Sequence, residues 1–251
     1  MMPILLNWPF PIYSYPLFLG FAWGIAYSYS LAVADEAKID IFKFKMYMLG
    51  LFISTWIGAK IFFWIFSAER SSTVITSINF WMGGGFVFFG GLVFGLIFTI
   101  VHNYYCKLIN IDMAAKLLPG LCLGHAVGRI GCFLAGCCFG KQLHQPLKIL
   151  GHEIDKHPAQ LYEIFVLLSL FFFFRVGFKK SNMKKIQIIL IYLMAYAGSR
   201  FFIEFMRADT VRGVYGPFSS SQWVSIVMII VSIGIYIRER SRTLITTRES
   251  I

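Results

Sequence analysis

Charge is scarce in this sequence. Of its 251 residues, 14% are Asp, Glu, Lys or Arg and 58% are hydrophobic, with a mean hydropathy of +0.70. Soluble domains carry about 25% charged residues, so a soluble globule is excluded. Acid is scarcer still: 12 Asp and Glu stand against 23 Lys and Arg, for a net charge of +11. The cations lie in short gaps between apolar runs rather than on one basic face, so no nucleic-acid partner is expected. The chain lacks a cationic start followed by a short apolar core and a small-residue cleavage site, and no removable signal peptide is expected. It also lacks a Walker-type phosphate loop, a nucleophile elbow and a His-Glu-x-x-His zinc signature, which leaves soluble NTPase and hydrolase chemistry without support. Cysteine is neither absent nor paired. Cys106, Cys122, Cys132, Cys137 and Cys138 are an odd number, three of them crowded together, unlike the even framework of a small secreted domain.

What is present is a series of long apolar runs. About 20 residues cross a hydrocarbon core roughly 30 Å thick, and a helix satisfies its own backbone there, so each run reads as a helix. The runs cover 16–34, 46–66, 83–101, 117–138, 160–177, 186–206 and 221–237. The expected fold class is an all-α integral membrane protein with seven transmembrane helices. Segments 35–45, 102–116, 175–185 and 238–251 hold 3, 2, 5 and 4 Lys or Arg, 14 in all, against 6 on the alternate side. Excess cations mark the cytoplasmic side, which puts the N-terminus outside, the C-terminus in the cytoplasm, and a polar loop at about 139–159 facing outward. With no repeat, linker or low-complexity break, one transmembrane domain over 1–251 is expected. Lys60, Arg129 and Arg200 fall within helices, where a charge costs about 2.5–3.5 kcal/mol on insertion scales. Snorkelling to the interface is the simplest use for Lys60.

Three segments could carry chemistry. Gly124-His125-Ala126-Val127-Gly128-Arg129-Ile130-Gly131-Cys132 leads into Gly136-Cys137-Cys138-Phe139-Gly140, and places His125 and Arg129 one helical turn apart among glycines. The planar fork of Arg suits a phosphodiester, although close helix packing around a structural ion pair is the alternative. Tyr196, Arg200 and Glu204 follow at steps of four and Arg207 lies three further on, one polar stripe that must face the bundle interior. His157-Pro158-Ala159-Gln160-Leu161-Tyr162-Glu163 reads as the polar start of the fifth helix and says little in isolation. The glycine-rich run through Gly84 and up to Leu92 suits either broken backbone beside a site or close packing.

Taken together and in order, Tyr15, Gly84 to Leu92, Gly128-Arg129-Ile130-Gly131, His157 to Glu163 and Tyr196 to Arg207 resemble the prolipoprotein diacylglyceryl transferase family over nearly the whole chain. The resemblance implies a multi-pass enzyme of the bacterial inner (cytoplasmic) membrane with its active site toward the periplasm. Its implied reaction moves the diacylglyceryl group of phosphatidylglycerol to the lipobox cysteine thiol of a preprolipoprotein signal peptide, the first step of lipoprotein biosynthesis, in contact with the bilayer and with no cofactor, metal or nucleotide. Carried over by position, Arg129 would hold the headgroup, with Arg200 and Glu204 opposite and Tyr196 and Arg207 in support. Tyr15 would line the cavity, and Gly131, Cys132, Gly140, His157 and Gln160 count with the substrate-binding surface.

The departures from the family pattern fall on reactive positions. Where the signature usually reads Gly-Arg-x-Gly-Asn-Phe with a later Glu, Cys132 takes the Asn position and Cys137 the Glu position; the family's His before the Gly-Gly pair is Phe89. His125 is therefore the candidate catalytic base for the incoming thiol. Cys132, Cys137 and Cys138 admit packing, redox control or metal binding. A zinc site from them and a nearby His has ligand logic but lacks a second Cys-x-x-Cys half, and no metal is expected. Two rivals stay open: a membrane thiol oxidoreductase working through Cys137 and Cys138, and a non-catalytic lipid-binding homologue.

Overall fold

The computed structural model describes residues 3–6, 12–66, 76–77, 80–81, 88–149, 151–177, 183–207 and 214–249. Seven helices of 19 residues or more run through them: α1 (Ser14–Glu36), α2 (Ile41–Phe66), α3 (Phe88–Cys106), α4 (Ile111–Leu134), α5 (Ala159–Gly177), α6 (Lys185–Met206) and α7 (Ser220–Glu249). Six of them are long and apolar enough to cross a membrane, while the corresponding stretch of α3, Gly90–Cys106, is shorter. Residues 82–87 of the glycine-rich run, with much of the segments near 70 and 213, lie outside the described residues, as does the side chain of Phe89. The sequence reading carries the fourth span to 138, but α4 ends at Leu134. Gly136 and Cys138 take φ of 73° and 67°, left-handed conformations that close a helix.

Internal contacts divide the chain into two compact units, Met1–Ser30 with Ile111–Ile251, and Leu31–Asn110. In the second, α2 packs on α3. A Cβ on Gly58 would meet the Gly90 carbonyl and one on Gly90 the Gly58 carbonyl, so only glycine at both positions lets the two backbones touch. Ser54 Oγ donates to the Phe94 carbonyl at 2.9 Å, and the Tyr47 hydroxyl shares a hydrogen with Thr99 Oγ1 at 3.0 Å. Lys60 does not snorkel. It is fully buried, donating from Nζ to the Phe80 carbonyl at 2.6 Å and lying 5.3 Å from the Phe80 ring centroid, where carbonyl and π-face replace water around the ammonium.

In the first unit α4 packs on α5 and α6, α5 on α6, and α6 on α7. Leu118, Cys122, Phe174, Ile188 and Tyr192 form an apolar cluster among α4, α5 and α6. Three short antiparallel hairpins join them: β1 (Ile4–Leu6) with β2 (Ile12–Tyr13), β3 (Gln142–Ile149) with β4 (His152–Lys156), and β5 (Val214–Tyr215) with β6 (Phe218–Ser219). The segment read as a polar loop is thus mainly a hairpin. Its base is tied down by backbone bonds, Gly140 N–H to the His157 carbonyl and Lys141 N–H to the Met206 carbonyl, both at 2.7 Å. Gly140 also bridges Arg207 in antiparallel fashion. A Cβ at Gly140 would strike the Met206 carbonyl and come within 2.7 Å of His157 Cβ, so glycine is what allows this crossing.

Candidate functional site

The helical period assembles the site. On α4, His125, Arg129 and Cys132 lie four and three residues apart, one face; on α6, Tyr196, Arg200 and Glu204 repeat at four, with Arg207 as the residue capping the C-terminus. The first turns of α5 supply Gln160 and Glu163.

These faces meet at Glu163, which is 2% exposed. Its Oε2 lies 2.5 Å from Arg129 Nε, while Oε1 accepts from Arg200 Nη1 and lies 3.5 Å from Arg207 Nη1. Arg200 reaches Glu204 Oε2 with its other terminal nitrogen at 2.8 Å, and Arg207 Nε stands 3.7 Å from the same oxygen. Ser219 on β6 donates to the second Glu204 oxygen at 3.1 Å. Three guanidinium groups and two carboxylates leave one formal positive charge in a buried cluster. Burial weakens water's competition for these groups, so each pair is held more strongly than on a surface and an unmatched charge costs more. A surplus positive charge of this kind suits an anion, and guanidinium is the group whose fork matches phosphate oxygens.

Around this hub stand the other nominated residues. The Tyr196 ring lies 5.6 Å from that of His125 and stacks on Tyr192 at 6.1 Å, with Arg129 within electrostatic range of its hydroxyl. Tyr15, at the start of α1, is half-buried within electrostatic range of Arg129 and of Cys132, Cys137 and Cys138. Gly131 admits α1: a Cβ there would lie 2.7 Å from Phe18 Cβ. Gln160, 1% exposed, donates from its amide to the Cys137 carbonyl and so fastens the loop after α4 to α5. His157 pairs Nδ1 with the Tyr162 hydroxyl at 3.2 Å. It and Gly140 reach the hub through the backbone bonds that fix Arg207.

The loop after α4 turns back on the helix. Cys137 N–H donates to the Cys132 carbonyl at 3.2 Å, the Cys138 and Cys137 sulfurs are 3.6 Å apart, and the sulfurs of Cys132, Cys137 and Cys138 all lie within 4.8 Å of one another. Hydrogen bonds from the Cys132 and Cys137 thiols, with Arg207 and Arg129 nearby, hold the Cys138 thiol well below its usual range. The same sharing pushes Cys137 up. Among the described residues, these three are the ones that could hold a soft metal ion.

A family model described as prolipoprotein diacylglyceryl transferase matches residues 3–238. The chain belongs to the prolipoprotein diacylglyceryl transferase family. Relatives named phosphatidylglycerol–prolipoprotein diacylglyceryl transferase include that of Clostridium tetani (strain Massachusetts / E88), 34% identical over 172 residues, 64% of this chain and 67% of the relative. The protein numbered 2 in Clostridium perfringens (strain 13 / Type A) is 34% identical over 160 residues, 61% of this chain and 62% of the relative, a little under two thirds of that relative's length. The Lactococcus lactis subsp. lactis (strain IL1403) protein is 29% identical over 252 residues, covering 93% of this chain and 92% of the relative.

For this diacylglyceryl transferase family member, the sequence nominates every guanidinium of the cluster and Glu204, while Glu163 stands out only as part of the polar start of α5, with no role of its own. The carboxylate that joins Arg129 to Arg200 was treated as part of an ordinary helix start. The available signal was charge: Arg129 and Arg200 each need a buried anion, and Glu163 is the acid at the start of a neighbouring helix. Ser219 had no signal, because its bond to Glu204 depends on the course of the chain between α6 and α7.

Proposed function

We propose that this protein transfers the diacylglyceryl group of phosphatidylglycerol to the thiol of a lipobox cysteine in a preprolipoprotein, releasing glycerol phosphate. It does so as a seven-span protein of the bacterial inner membrane, N-terminus outside, with the site opening toward the periplasm. The observation that carries this reading is the buried, singly positive cluster of Arg129, Arg200, Arg207, Glu163 and Glu204 in a member of this family. The six helices long and apolar enough to cross a membrane support a lipid environment, and the cation counts support the orientation.

The chemistry is displacement at carbon. The thiol sulfur forms a bond to the glyceryl carbon as the carbon–oxygen bond to phosphate breaks, and the leaving phosphate carries away that electron pair. Arg129 and Arg200 stand where they can neutralise the charge on the phosphate as it departs, with Glu163 and Glu204 holding both forks in place before substrate arrives. His125, one turn from Arg129, takes the thiol proton. Tyr196 and Tyr15 line the approach.

The test is replacement of the endogenous transferase in a bacterium depleted of it. Restored growth and thioether-linked diacylglycerol on a reporter lipoprotein support the reading. Failure of an expressed, membrane-inserted protein to restore either sinks it, and thiol–disulfide exchange with quinone in the same membranes would favour an oxidoreductase instead.

A further inference from the structure

Beside the arginine cluster the fold builds a second centre that the transfer scheme above does not use. Cys132 closes the face of α4 that carries His125 and Arg129, and the left-handed residues Gly136 and Cys138 swing Cys137 and Cys138 back over it. Cysteines that are neighbours in an extended chain point to opposite sides; here the turn at Cys138, with φ of 67°, brings both sulfurs to one side. The loop is held there by the Gln160 amide on the Cys137 carbonyl, while the Gln160 side-chain oxygen is buried without a hydrogen-bond partner.

We propose that Cys132, Cys137 and Cys138 bind one zinc ion whose fourth position is filled by the thiol of the incoming lipobox cysteine. The proposal rests on the transferase reading and deepens it.

The spacing fits. Tetrahedral zinc with bonds of about 2.3 Å to sulfur needs sulfurs about 3.8 Å apart. The three sulfurs lie within 4.8 Å of one another, with Cys137 and Cys138 at 3.6 Å, so small side-chain rotations close the site. Charge fits as well. Three thiolates around a divalent ion carry one negative charge, next to a buried cluster with one positive charge, and Arg207 and Arg129 both act on Cys138. Three protein ligands with an open fourth position is the arrangement of a catalytic zinc site, whereas four protein ligands close a structural one. The cluster is reachable, because Cys137 is exposed and Cys138 only partly buried.

The proposal answers a chemical need. A thiol near pKa 8.5 is mostly protonated at neutral pH, and Glu163 and Glu204 are both engaged by guanidinium groups, which makes them poor bases. A zinc-bound thiol loses its proton outright. On binding, the sulfur–hydrogen bond breaks, the proton passes to His125, and the sulfur keeps the electron pair that attacks the glyceryl carbon. The metal is neither oxidised nor reduced.

The test uses the full chain purified in detergent. Elemental analysis is expected to find about one zinc per chain in the unaltered protein and in Cys106→Ser/Cys122→Ser, and next to none in Cys132→Ser or Cys137→Ser/Cys138→Ser. Cobalt exchanged for zinc should show a sulfur-to-metal charge-transfer band, and a lipobox peptide should shift the cobalt spectrum while the same peptide with Ser for the lipobox Cys leaves it unchanged. Because Cys132→Ser could perturb folding, the peptide-induced shift in the unaltered protein decides independently. Zinc that persists in the cysteine variants is an adventitious ion only and overturns the site. Transfer that proceeds in metal-free protein overturns the site and leaves the transferase reading standing. A peptide-dependent cobalt shift without any diacylglyceryl transfer supports the site and sinks that reading.

Discussion

Glu163 Oε2 lies 2.5 Å from Arg129 Nε, and the other oxygen of the same carboxylate takes Arg200, 37 residues away in sequence. One side chain of α5 therefore decides where two guanidinium groups, from α4 and α6, come to rest. Glu163→Gln keeps the shape and removes the charge. Breaking a buried ion pair from one side costs about 3–5 kcal/mol, so the variant should melt well below the unaltered protein in detergent and lose transfer from labelled phosphatidylglycerol. Unchanged melting would show that the cluster does not hold the helices together.

Arg129→Ala and Arg200→Ala should each abolish transfer to a lipobox peptide while the protein stays inserted in the membrane. Arg129→Lys is the sharper comparison. It keeps the positive charge but not the two-pronged donor, and a loss of about 1–3 kcal/mol in transition-state stabilisation, roughly fivefold to 150-fold in rate, is expected if the fork matters. Full activity in the lysine variant would reduce Arg129 to a point charge.

Gly140→Ala places a methyl against the Met206 carbonyl and 2.7 Å from His157 Cβ. The crossing must open, and Arg207, which pairs with Gly140 through its backbone, moves with it. A loss of about 1–3 kcal/mol in stability and a fall in transfer rate are expected, while Gly20→Ala, whose added carbon meets nothing within 4 Å, should change neither. Equal behaviour of the two variants would remove the hairpin base from the description of the site.

The Cys138 thiol is lowered below its usual range by its sulfur neighbours and by Arg207 and Arg129, so a larger share of it than of an ordinary thiol is expected as thiolate at neutral pH. A depressed value means the reactive form is present above that value and lost only as pH falls through it. After chelator treatment, alkylation at Cys138 should fall less steeply from about pH 8 to about pH 6 than that of an ordinary thiol, which slows about tenfold per unit. Mass-spectrometric mapping of the labelled peptide reads this directly, and a tenfold drop per unit would contradict the assignment.

His125→Gln should slow transfer markedly, because the thiol then loses the side chain placed to take its proton. A rate profile identical to that of the unaltered protein would take His125 out of the reaction.

Much of this was readable along the chain. The apolar runs mark the helices because the cost of placing a residue in lipid adds up residue by residue, and the stripe Tyr196, Arg200, Glu204 and Arg207 is visible because the helical period alone puts it on one face. The end of α4 was misread, since Ala135, Gly136 and Cys137 are apolar or small enough to prolong a hydropathy run while the backbone has already turned left-handed. The segment at 139–159 looked like plain polar loop because its residues carry no clean alternation, yet pairing of β3 with β4 and the ties at Gly140 and Lys141 make it a hairpin.

Sequence alone determined that this chain lives in a membrane, which stretches become helices, and that arginines must be buried among them, because hydropathy and helical period are local properties. Only the tertiary structure decided which acid neutralises which arginine and that three cysteine sulfurs converge. Those outcomes depend on distances between α4, α5 and α6, and a few tight backbone crossings and left-handed turns set such distances without leaving a periodic trace in the sequence.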